Sequence, residues 1–191
     1  MKGNIIVISA PSGTGKTTII KKIMDIIPNL TFSISATTRD KRGFEIEGKD
    51  YFFINEEEFK QKINNDEFVE WEKFYDYYYG TLKSFVNTNL EENKSLIFEV
   101  DVIGALRIKK CYPESVLIFI EPPSIEALKE RLIKRNTETE EDFKKRIARA
   151  EMEINYKEKF DFSVMNVNLD NAIEEVKNII INKLNGVDHG N

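Results

Sequence analysis

The 191-residue sequence contains one cysteine and one histidine, and these shortages exclude several kinds of chemistry. Cys111 has no second cysteine with which to form an intramolecular disulfide, and no Cys/His cluster exists for zinc. His189 lies in the segment GVDHGN, so we expect neither histidine acid–base catalysis nor a serine or cysteine nucleophile activated by histidine. The low cysteine content predicts a cytoplasmic protein.

A long hydrophobic run and an excess of positive charge are also absent. The apolar stretch at residues 5–8 is too short for a signal peptide or a membrane span, so we expect no membrane partner. The 28 Lys and Arg residues against 33 Asp and Glu give a net charge of −5, which argues against a nucleic-acid partner. The length predicts one globular domain. We expect a monomer or a homodimer.

The run IIVISAPSGTGKTT at residues 5–18 has the pattern of a P-loop, a buried strand followed by a small-residue loop and a helix. Backbone N–H groups of such a loop, with the helix N-terminus, form a cradle for phosphate. Lys16 adds a positive charge there, and Thr17 offers a hydroxyl oxygen to Mg²⁺. Ala10 replaces the usual first glycine, so that position cannot need a positive φ. The alternative is a glycine-rich turn beside a solvated Lys16.

A second candidate phosphate site is the basic loop TTRDKR at residues 37–42. Arg39 and Arg42 are three residues apart, and guanidinium groups match phosphate oxygens with forked, charge-assisted hydrogen bonds. Tyrosines downstream, at Tyr51 and in the run at 77–79, supply hydroxyl groups to the same shell. The alternative is a solvated basic loop beside core aromatics. A P-loop in the same chain favours the phosphate site.

Candidate base-recognition residues are Glu70, Ser35, Thr81 and Asp101. A carboxylate among aromatic residues suits a base edge that donates hydrogens, as guanine does through N1–H and N2–H₂, and repels the N1 acceptor of adenine. Asp101 also follows an apolar strand, where an acid supports Mg²⁺ or substrate in an open α/β sheet. The alternatives are an exposed strand residue for Glu70 and an ordinary strand end at 99–101.

Four arginines surround the charged stretch RNTETEED: Arg131, Arg135, Arg146 and Arg149. Arginines on a flap that closes over a transferring phosphoryl group would offset its charge. Arg135 and Arg146 are the better candidates, because Arg149 lies one helical turn from Arg146 and would simply extend a charged face. The alternative for the whole set is a salt-bridged polar helix.

Apolar strands at 5–8, 96–100 and 116–120 alternate with helical patterns, which predicts an α/β fold with a mostly parallel sheet and helices on both faces. Residues 35–85 interrupt this rhythm with short strands and many aromatics, as an insertion would. The remaining predictions are strands at 30–35, 50–54, 68–71 and 164–168, a tight aromatic segment at 76–81, a helix capped by Ser124, and helices at 56–64, 83–92, 102–110, 140–158 and 172–184.

Taken together, these motifs resemble the guanylate kinase family along nearly the whole chain. The order is SAPSGTGKTT, FSISATTRDKRGFEIEGKDY, FVEWEKF, YYGT, FEVD and KERLIKRNTETEEDFKKRI. The resemblance implies a P-loop nucleoside monophosphate kinase fold within residues 1–184. Its parts would be a core (1–34, 86–127 and 156–184), a GMP-binding insertion (35–85) and a lid (128–155), followed by a disordered tail at 185–191.

The resemblance also implies the reaction ATP + GMP to ADP + GDP with Mg²⁺, and a role for each matching residue. The catalytic residues would be Lys16, Arg42, Arg135 and Arg146. The ATP-binding residues would be Ser12, Gly13, Thr14, Gly15, Lys16, Thr17, Thr18, Arg131 and Asn166, with Thr17 on the metal. The GMP-binding residues would be Ser35, Arg39, Arg42, Glu45, Tyr51, Glu70, Tyr79, Thr81 and Asp101. Asn136 and Val167 depart from the family pattern in the lid and near adenine.

Two other functions stay open at this point. One is a non-catalytic scaffold module of similar fold that binds phosphorylated partner proteins. Such modules typically lose the ATP-site residues, whereas this chain keeps Lys16 and Thr17. The other is a kinase for a different nucleoside monophosphate, against which Glu70 and Ser35 argue.

Overall fold

The described part of the protein, residues 3–74, 76–134 and 140–186 of a computed structural model, alternates strands and helices. Its strands are β1 (Ile5–Ser9), β2 (Leu30–Phe32), β3 (Ala36–Thr37), β4 (Phe52–Phe53), β5 (Phe68–Phe74), β6 (Tyr77–Leu82), β7 (Ser95–Glu99), β8 (Val116–Glu121) and β9 (Phe162–Met165). Its helices are α1 (Lys16–Ile26), α2 (Glu56–Asn64), α3 (Lys83–Glu91), α4 (Val102–Cys111), α5 (Ile125–Lys134), α6 (Glu140–Ile154) and α7 (Leu169–Leu184), with a 3₁₀ turn at Lys157–Lys159.

Five strands form a parallel sheet in the order β2-β7-β1-β8-β9, with helices on both faces. Alternate residues of β1 serve the two faces: Ile6 and Ile8 pack in the cluster that includes Ile19 of α1. Val7 packs on the other side, in the cluster that includes Ile108 of α4. Because both faces are covered, the strand is a continuous apolar run rather than an alternating one. The predicted α/β architecture is confirmed.

This strand order decides where the functional side chains meet. β1 lies between β7 and β8, so the loop after β1 and the acidic segment after β7 open at the same edge of the sheet. Ligands of open α/β sheets bind at the carboxyl ends of the strands.

A second, four-stranded sheet of order β4-β3-β6-β5 is built from residues 36–82. β5 and β6 pair antiparallel, with an irregularity between Phe68 and Glu70, and Glu70 lies opposite Thr81. α2 covers this sheet through Phe59, whose ring stacks on that of Phe68 at a centroid distance of 4.3 Å. The predicted start of α2 is confirmed, because Asn55 Oδ1 accepts a hydrogen bond from the Glu58 N–H at 2.8 Å.

The predicted tight aromatic segment at 76–81 is wrong, because this region contains strand β6. Its aromatics face those of β5 across the hairpin, as Trp71 and Tyr78 do at a ring-centroid distance of 6.2 Å. Such cross-strand contacts favour a strand over a turn.

Several element boundaries also differ from the prediction. The strand predicted at 30–35 ends at Phe32, and the helix predicted at 140–158 ends at Ile154. The strand predicted at 164–168 ends at Met165, because Asn168 caps α7 by accepting hydrogen bonds from the backbone N–H groups of residues 170 and 171. α7 therefore begins at Leu169 rather than at 172. Among the described helices, none combines the length and the hydrophobicity that a membrane crossing requires.

Candidate active site

The loop after β1 adopts the backbone that a phosphate cradle requires. Gly13 and Gly15 have φ of 90° and 100°, values that L side chains rarely adopt. A Cβ atom on Gly15 would lie 2.9 Å from Asn166 Nδ2, so the close approach of that amide also requires glycine. Ala10 is not among the positive-φ residues of the described chain, which confirms that this position tolerates alanine.

The first residues of α1 are tied to the end of β7. Lys16 Nζ donates to the Val100 carbonyl oxygen at 3.2 Å, and Thr17 Oγ1 donates to Glu99 Oε1 at 2.6 Å. Burial lowers the pKa of Lys16, while the negative charges of nearby carboxylates, Glu99 first among them, oppose that effect. The half-buried ammonium group is therefore partly desolvated before any ligand arrives, so an anion placed beside it would meet less competition from water than at an exposed site.

Arg131 and Asn166, which the family resemblance assigned to ATP, contact the loop backbone from outside. Asn166 Nδ2 donates to the Thr14 carbonyl oxygen at 2.7 Å. Arg131 Nη2 donates to the Asn166 carbonyl oxygen at 3.1 Å, and its Nη1 lies 3.4 Å from the Thr14 oxygen. Thr14 is fully buried, and its hydroxyl has no hydrogen-bond partner among the described residues. These contacts fix the shape of the loop.

The predicted phosphate loop is organised around a buried carboxylate. Glu45 accepts two hydrogen bonds from Arg39, at 2.6 and 3.1 Å, and a third from the Arg42 backbone N–H at 2.8 Å. The Arg39 guanidinium holds the pKa of Glu45 below its usual range. Arg39 also lies over the Tyr51 ring, 5.5 Å from its centroid, and Tyr51 meets Tyr79 edge-on. The residues predicted to share this site are therefore brought together, with the side chain of Arg42 exposed at its rim.

The predicted base-recognition residues also converge. Glu70 is only 6% exposed, so the alternative of an exposed strand residue is wrong. Its Oε1 accepts a hydrogen bond from Thr81 Oγ1 at 2.7 Å, and the same hydroxyl lies 3.5 Å from Ser35 Oγ. Asp101 Oδ1 accepts from the Gly104 N–H at 2.7 Å and so caps α4.

The electrostatics of Glu70 follow from this environment. Burial raises the pKa of Glu70 to about 7, the hydrogen bond from Thr81 opposes the rise, and the negative charges of Asp101 and Glu72 add to it. A carboxylate with this pKa changes its charge near neutral pH.

Arg149, the arginine that the sequence analysis ranked lowest, lies at the centre of an ion-pair cluster. Its Nη2 donates to Asp101 Oδ2 at 3.0 Å and to Glu72 Oε2 at 3.3 Å, while its Nε donates to Glu153 Oε1 at 2.9 Å. The sequence reasoning missed Glu72 and Glu153 as well. Two signals were available: Glu72 follows Glu70 by two residues on one strand, and Glu153 follows Arg149 by four on one helix.

A cleft of about 620 Å³ joins the P-loop to the ion-pair cluster around Arg149. The P-loop lines one side of it, and Arg146 and Arg149 of α6 line another, while Tyr51 and Asp101 carry the lining toward the second sheet. Arg135, Asn136 and the end of the predicted tail, residues 187–191, lie outside the described residues. The arrangement brings a phosphate cradle, cations and a carboxylate-rich pocket to one opening.

The sheet order and the P-loop together define a P-loop protein of the nucleoside monophosphate kinase fold. A sequence model of the guanylate kinase family matches residues 2–183, so the chain belongs to the guanylate kinase family.

Individual relatives agree with this assignment. The chain is 51% identical to a guanylate kinase of Caldanaerobacter subterraneus subsp. tengcongensis, over 94% of this chain and 87% of the relative. It is 50% identical to one of Porphyromonas gingivalis, over 92% and 95%. The crystal structure of guanylate kinase from Anaplasma phagocytophilum superposes with a TM-score of 0.73 at 29% identity, covering 94% of this chain and 85% of that one.

Proposed function

We propose that this protein transfers the γ-phosphoryl group of ATP to GMP and so produces ADP and GDP. The observation that carries the proposal is the shared cleft, which the P-loop and its lysine line together with Glu72 and Asp101, the two acids whose charges act on the buried Glu70. Retention of Lys16 and Thr17 favours catalysis over a scaffold role. Glu70 presents acceptor oxygens to a base edge, which favours guanine over adenine.

On the donor side, we propose that the P-loop binds the ATP phosphates. The backbone of residues 12–15 would donate hydrogen bonds to them, Lys16 would neutralise charge, and Thr18 would complete the first turn of α1 beneath them. Arg131 and Asn166 would contribute by holding the loop in shape, since both donate to the Thr14 carbonyl oxygen.

We propose Mg²⁺ as the cofactor, with Thr17 as its protein ligand. Among the described residues, no three or more His, Cys, Asp or Glu side chains are arranged so that they could hold a metal ion. Mg²⁺ does not need such a group, because it takes hard oxygen ligands, keeps several waters and binds largely through substrate phosphates. The Thr17 hydroxyl oxygen lies at the P-loop, where those phosphates would be. When bound, the ion would stabilise negative charge on the phosphate oxygens.

On the acceptor side, we propose that Arg39, Arg42, Tyr51 and Tyr79 bind the GMP phosphate. Glu45 would act through Arg39, because it holds that guanidinium in place. Glu70, with Thr81, Ser35 and Asp101, would read the guanine edge.

The reaction needs no covalent enzyme intermediate. An oxygen of the GMP phosphate attacks the γ-phosphorus, and the bond from that phosphorus to the ADP oxygen breaks in line. Lys16, Arg42 and Arg146 would offset the repulsion between the two anionic nucleotides, and Arg135 is the fourth residue that we propose for this role. We further propose that residues 35–85 and 128–155 act as an acceptor-binding insertion and a lid whose closure excludes water. The proposed setting is the cytoplasm, as a monomer or a homodimer.

A coupled assay that detects ADP, run with ATP and Mg²⁺ against GMP, AMP, UMP or dTMP, tests the activity. We expect turnover with GMP well above that with the others. The control variant Lys16→Ala should abolish turnover and keep the far-ultraviolet circular dichroism of the parent, because it removes charge but no core contact. Turnover of another monophosphate in preference to GMP would refute the acceptor assignment. Near-normal kcat in Lys16→Ala would refute the role of Lys16.

A further inference from the structure

Arg149 connects α6 to two other elements of the acceptor side. One nitrogen, Nη2, bonds both Asp101, at the N-terminus of α4, and Glu72, on β5. A second, Nε, bonds Glu153 on its own helix, and the guanidinium carbon lies 5.3 Å from the centroid of the Phe74 ring. Two donors and one face of this side chain are therefore engaged, and they fix its position relative to β5 and α4.

The Asp101 carboxylate owes its orientation to this contact. Its Oδ1 is held by the Gly104 backbone N–H at 2.7 Å, and its Oδ2 by Arg149 at 3.0 Å. A carboxylate bonded through one oxygen alone keeps freedom of rotation about its side-chain bonds, whereas a carboxylate bonded through both oxygens points in one direction. The second bond comes from α6, an element that follows Asp101 by about forty residues in the chain.

The same contact balances charge where acids crowd together. Glu70 and Glu72 are alternate residues of β5 and share a face, and Asp101 is close enough to raise the pKa of both. Arg149 opposes the rise at Glu72. The other charged groups that line the cleft with Glu72 and Asp101 come from α1, from the end of β7 and from α6: Lys16, Glu99, Lys145, Arg146 and Glu153. Arg149 therefore supplies positive charge directly to both Glu72 and Asp101.

We propose that Arg149 is a positioning residue for the acceptor base. From α6 it orients Asp101 and Glu72 beside Glu70. A base with adjacent N–H donors therefore binds tightly only while α6 keeps its contact with β5 and α4. The proposal rests on the proposed function, since it concerns how the same pocket reads guanine. Because the coupling is reciprocal, binding of the base also favours the docked position of α6.

A direct catalytic role would make a different demand on the same side chain. An arginine that touches the transferring phosphoryl group acts on the transition state, so its loss lowers kcat for every acceptor alike. A positioning residue for the base acts on acceptor binding, so its loss raises KM for the acceptor and weakens discrimination between bases.

The test compares Arg149→Gln and Arg149→Lys with the parent protein, using GMP and IMP as acceptors. IMP lacks the N2 amine of GMP, so the ratio of the two kcat/KM values reports how well the base edge is read. We expect Arg149→Gln to raise the KM for GMP about tenfold, because a charge-assisted hydrogen-bond set is lost, and to change the KM for ATP less than about twofold. The GMP preference should fall, and Arg149→Lys should restore part of it.

The pH dependence of the KM for GMP distinguishes a positioning role from a purely structural one, because a structural role would not change it. Removal of the guanidinium raises the proton affinity of Glu72, so the KM ratio of Arg149→Gln to parent for GMP should grow as the pH falls from 8.5 to 6.5. The matched control is Glu153→Gln, which removes the partner within α6 but keeps Asp101 and Glu72 within reach of Arg149. It should retain the GMP preference of the parent.

Two results would overturn the inference: an equal loss of kcat with GMP and IMP at unchanged KM, or a parallel rise in the KM for ATP and GMP together with a lower melting temperature. A parent protein that turns over no nucleotide would instead refute the proposed function. Calorimetric binding of GMP to parent and Arg149→Gln proteins would then decide the inference, and equal affinities would refute it.

Discussion

Glu70→Gln should make the ligand-free protein more stable at alkaline pH, although it removes a residue that we place in the acceptor site. The carboxyl is buried, and its pKa is raised from an ordinary 4.5 to about 7, mainly by burial. Glutamine has the same shape and keeps an oxygen that accepts from Thr81 Oγ1, but it carries no charge. The substitution therefore removes the unfavourable buried charge and little of the packing.

The magnitude follows from the two pKa values. Between pH 4.5 and 7 the unfolded chain has released the Glu70 proton and the folded protein still holds it, so the folded state loses stability as the pH rises through this window. The whole window corresponds to about 3 kcal/mol, and the interval from pH 5 to pH 8 to about 2.5 kcal/mol. Below pH 4.5 both states are protonated, and above pH 7 both are ionised, so the difference is constant outside the window.

Urea unfolding at pH 5 and pH 8, followed by the fluorescence of Trp71, measures the effect. Trp71 is the only tryptophan of the chain and lies next to Glu70. The free energy of unfolding of Glu70→Gln relative to the parent should rise by about 2.5 kcal/mol between the two pH values. Glu57→Gln, an exposed carboxyl on α2, controls for the chemistry of the substitution. A stability difference between parent and Glu70→Gln that is the same at both pH values would refute the reasoning.

Two other substitutions test the loops that bind phosphate in our proposal. Gly15→Ala should destabilise the protein by about 1–3 kcal/mol and raise the KM for ATP, because its φ of 100° is strained for alanine and its Cβ would meet Asn166; normal unfolding and kinetics would refute this. Glu45→Gln should raise the KM for GMP about tenfold and leave that for ATP unchanged, because Arg39 loses its charged partner. Steady-state kinetics measure both, and an unaltered KM for GMP would remove Glu45 from the acceptor site.

The parts of the fold that local chemistry determines could be predicted from the sequence. The sequences of β1 and β8 are continuous apolar runs, because both faces of these strands are covered. The P-loop is identified by its glycines and lysine, because its backbone and its phosphate site require these residues. Asn55 and Glu58 have cap spacing, and the hydrogen bond between them is formed. In each case the pattern that carries the prediction lies within a few consecutive residues.

Features that depend on distant pairings could not be predicted in this way. The sheet order places β1 between β7 and β8, which lie about ninety and about one hundred and ten residues further along the chain. No local sequence pattern encodes these pairings. β6 was mistaken for a tight segment because its tyrosines gain their partners only when β5 pairs with it. Arg149 was ranked below Arg146 because helical spacing shows which residues share a face, not which acids of other elements that face will meet.

The acids of the acceptor pocket show why such residues resist prediction from folding rules alone. An apolar side chain would suit the buried position of Glu70 better than a carboxylate. The raised pKa of this carboxyl follows from the same cause, because burial disfavours its charged form. The conflict has a functional consequence, because a desolvated carboxylate with unused acceptor capacity binds a base that donates hydrogens and repels one that presents an acceptor. Selectivity and ligand-free stability therefore oppose each other at Glu70, while Arg149 offsets the charge of its neighbours Glu72 and Asp101.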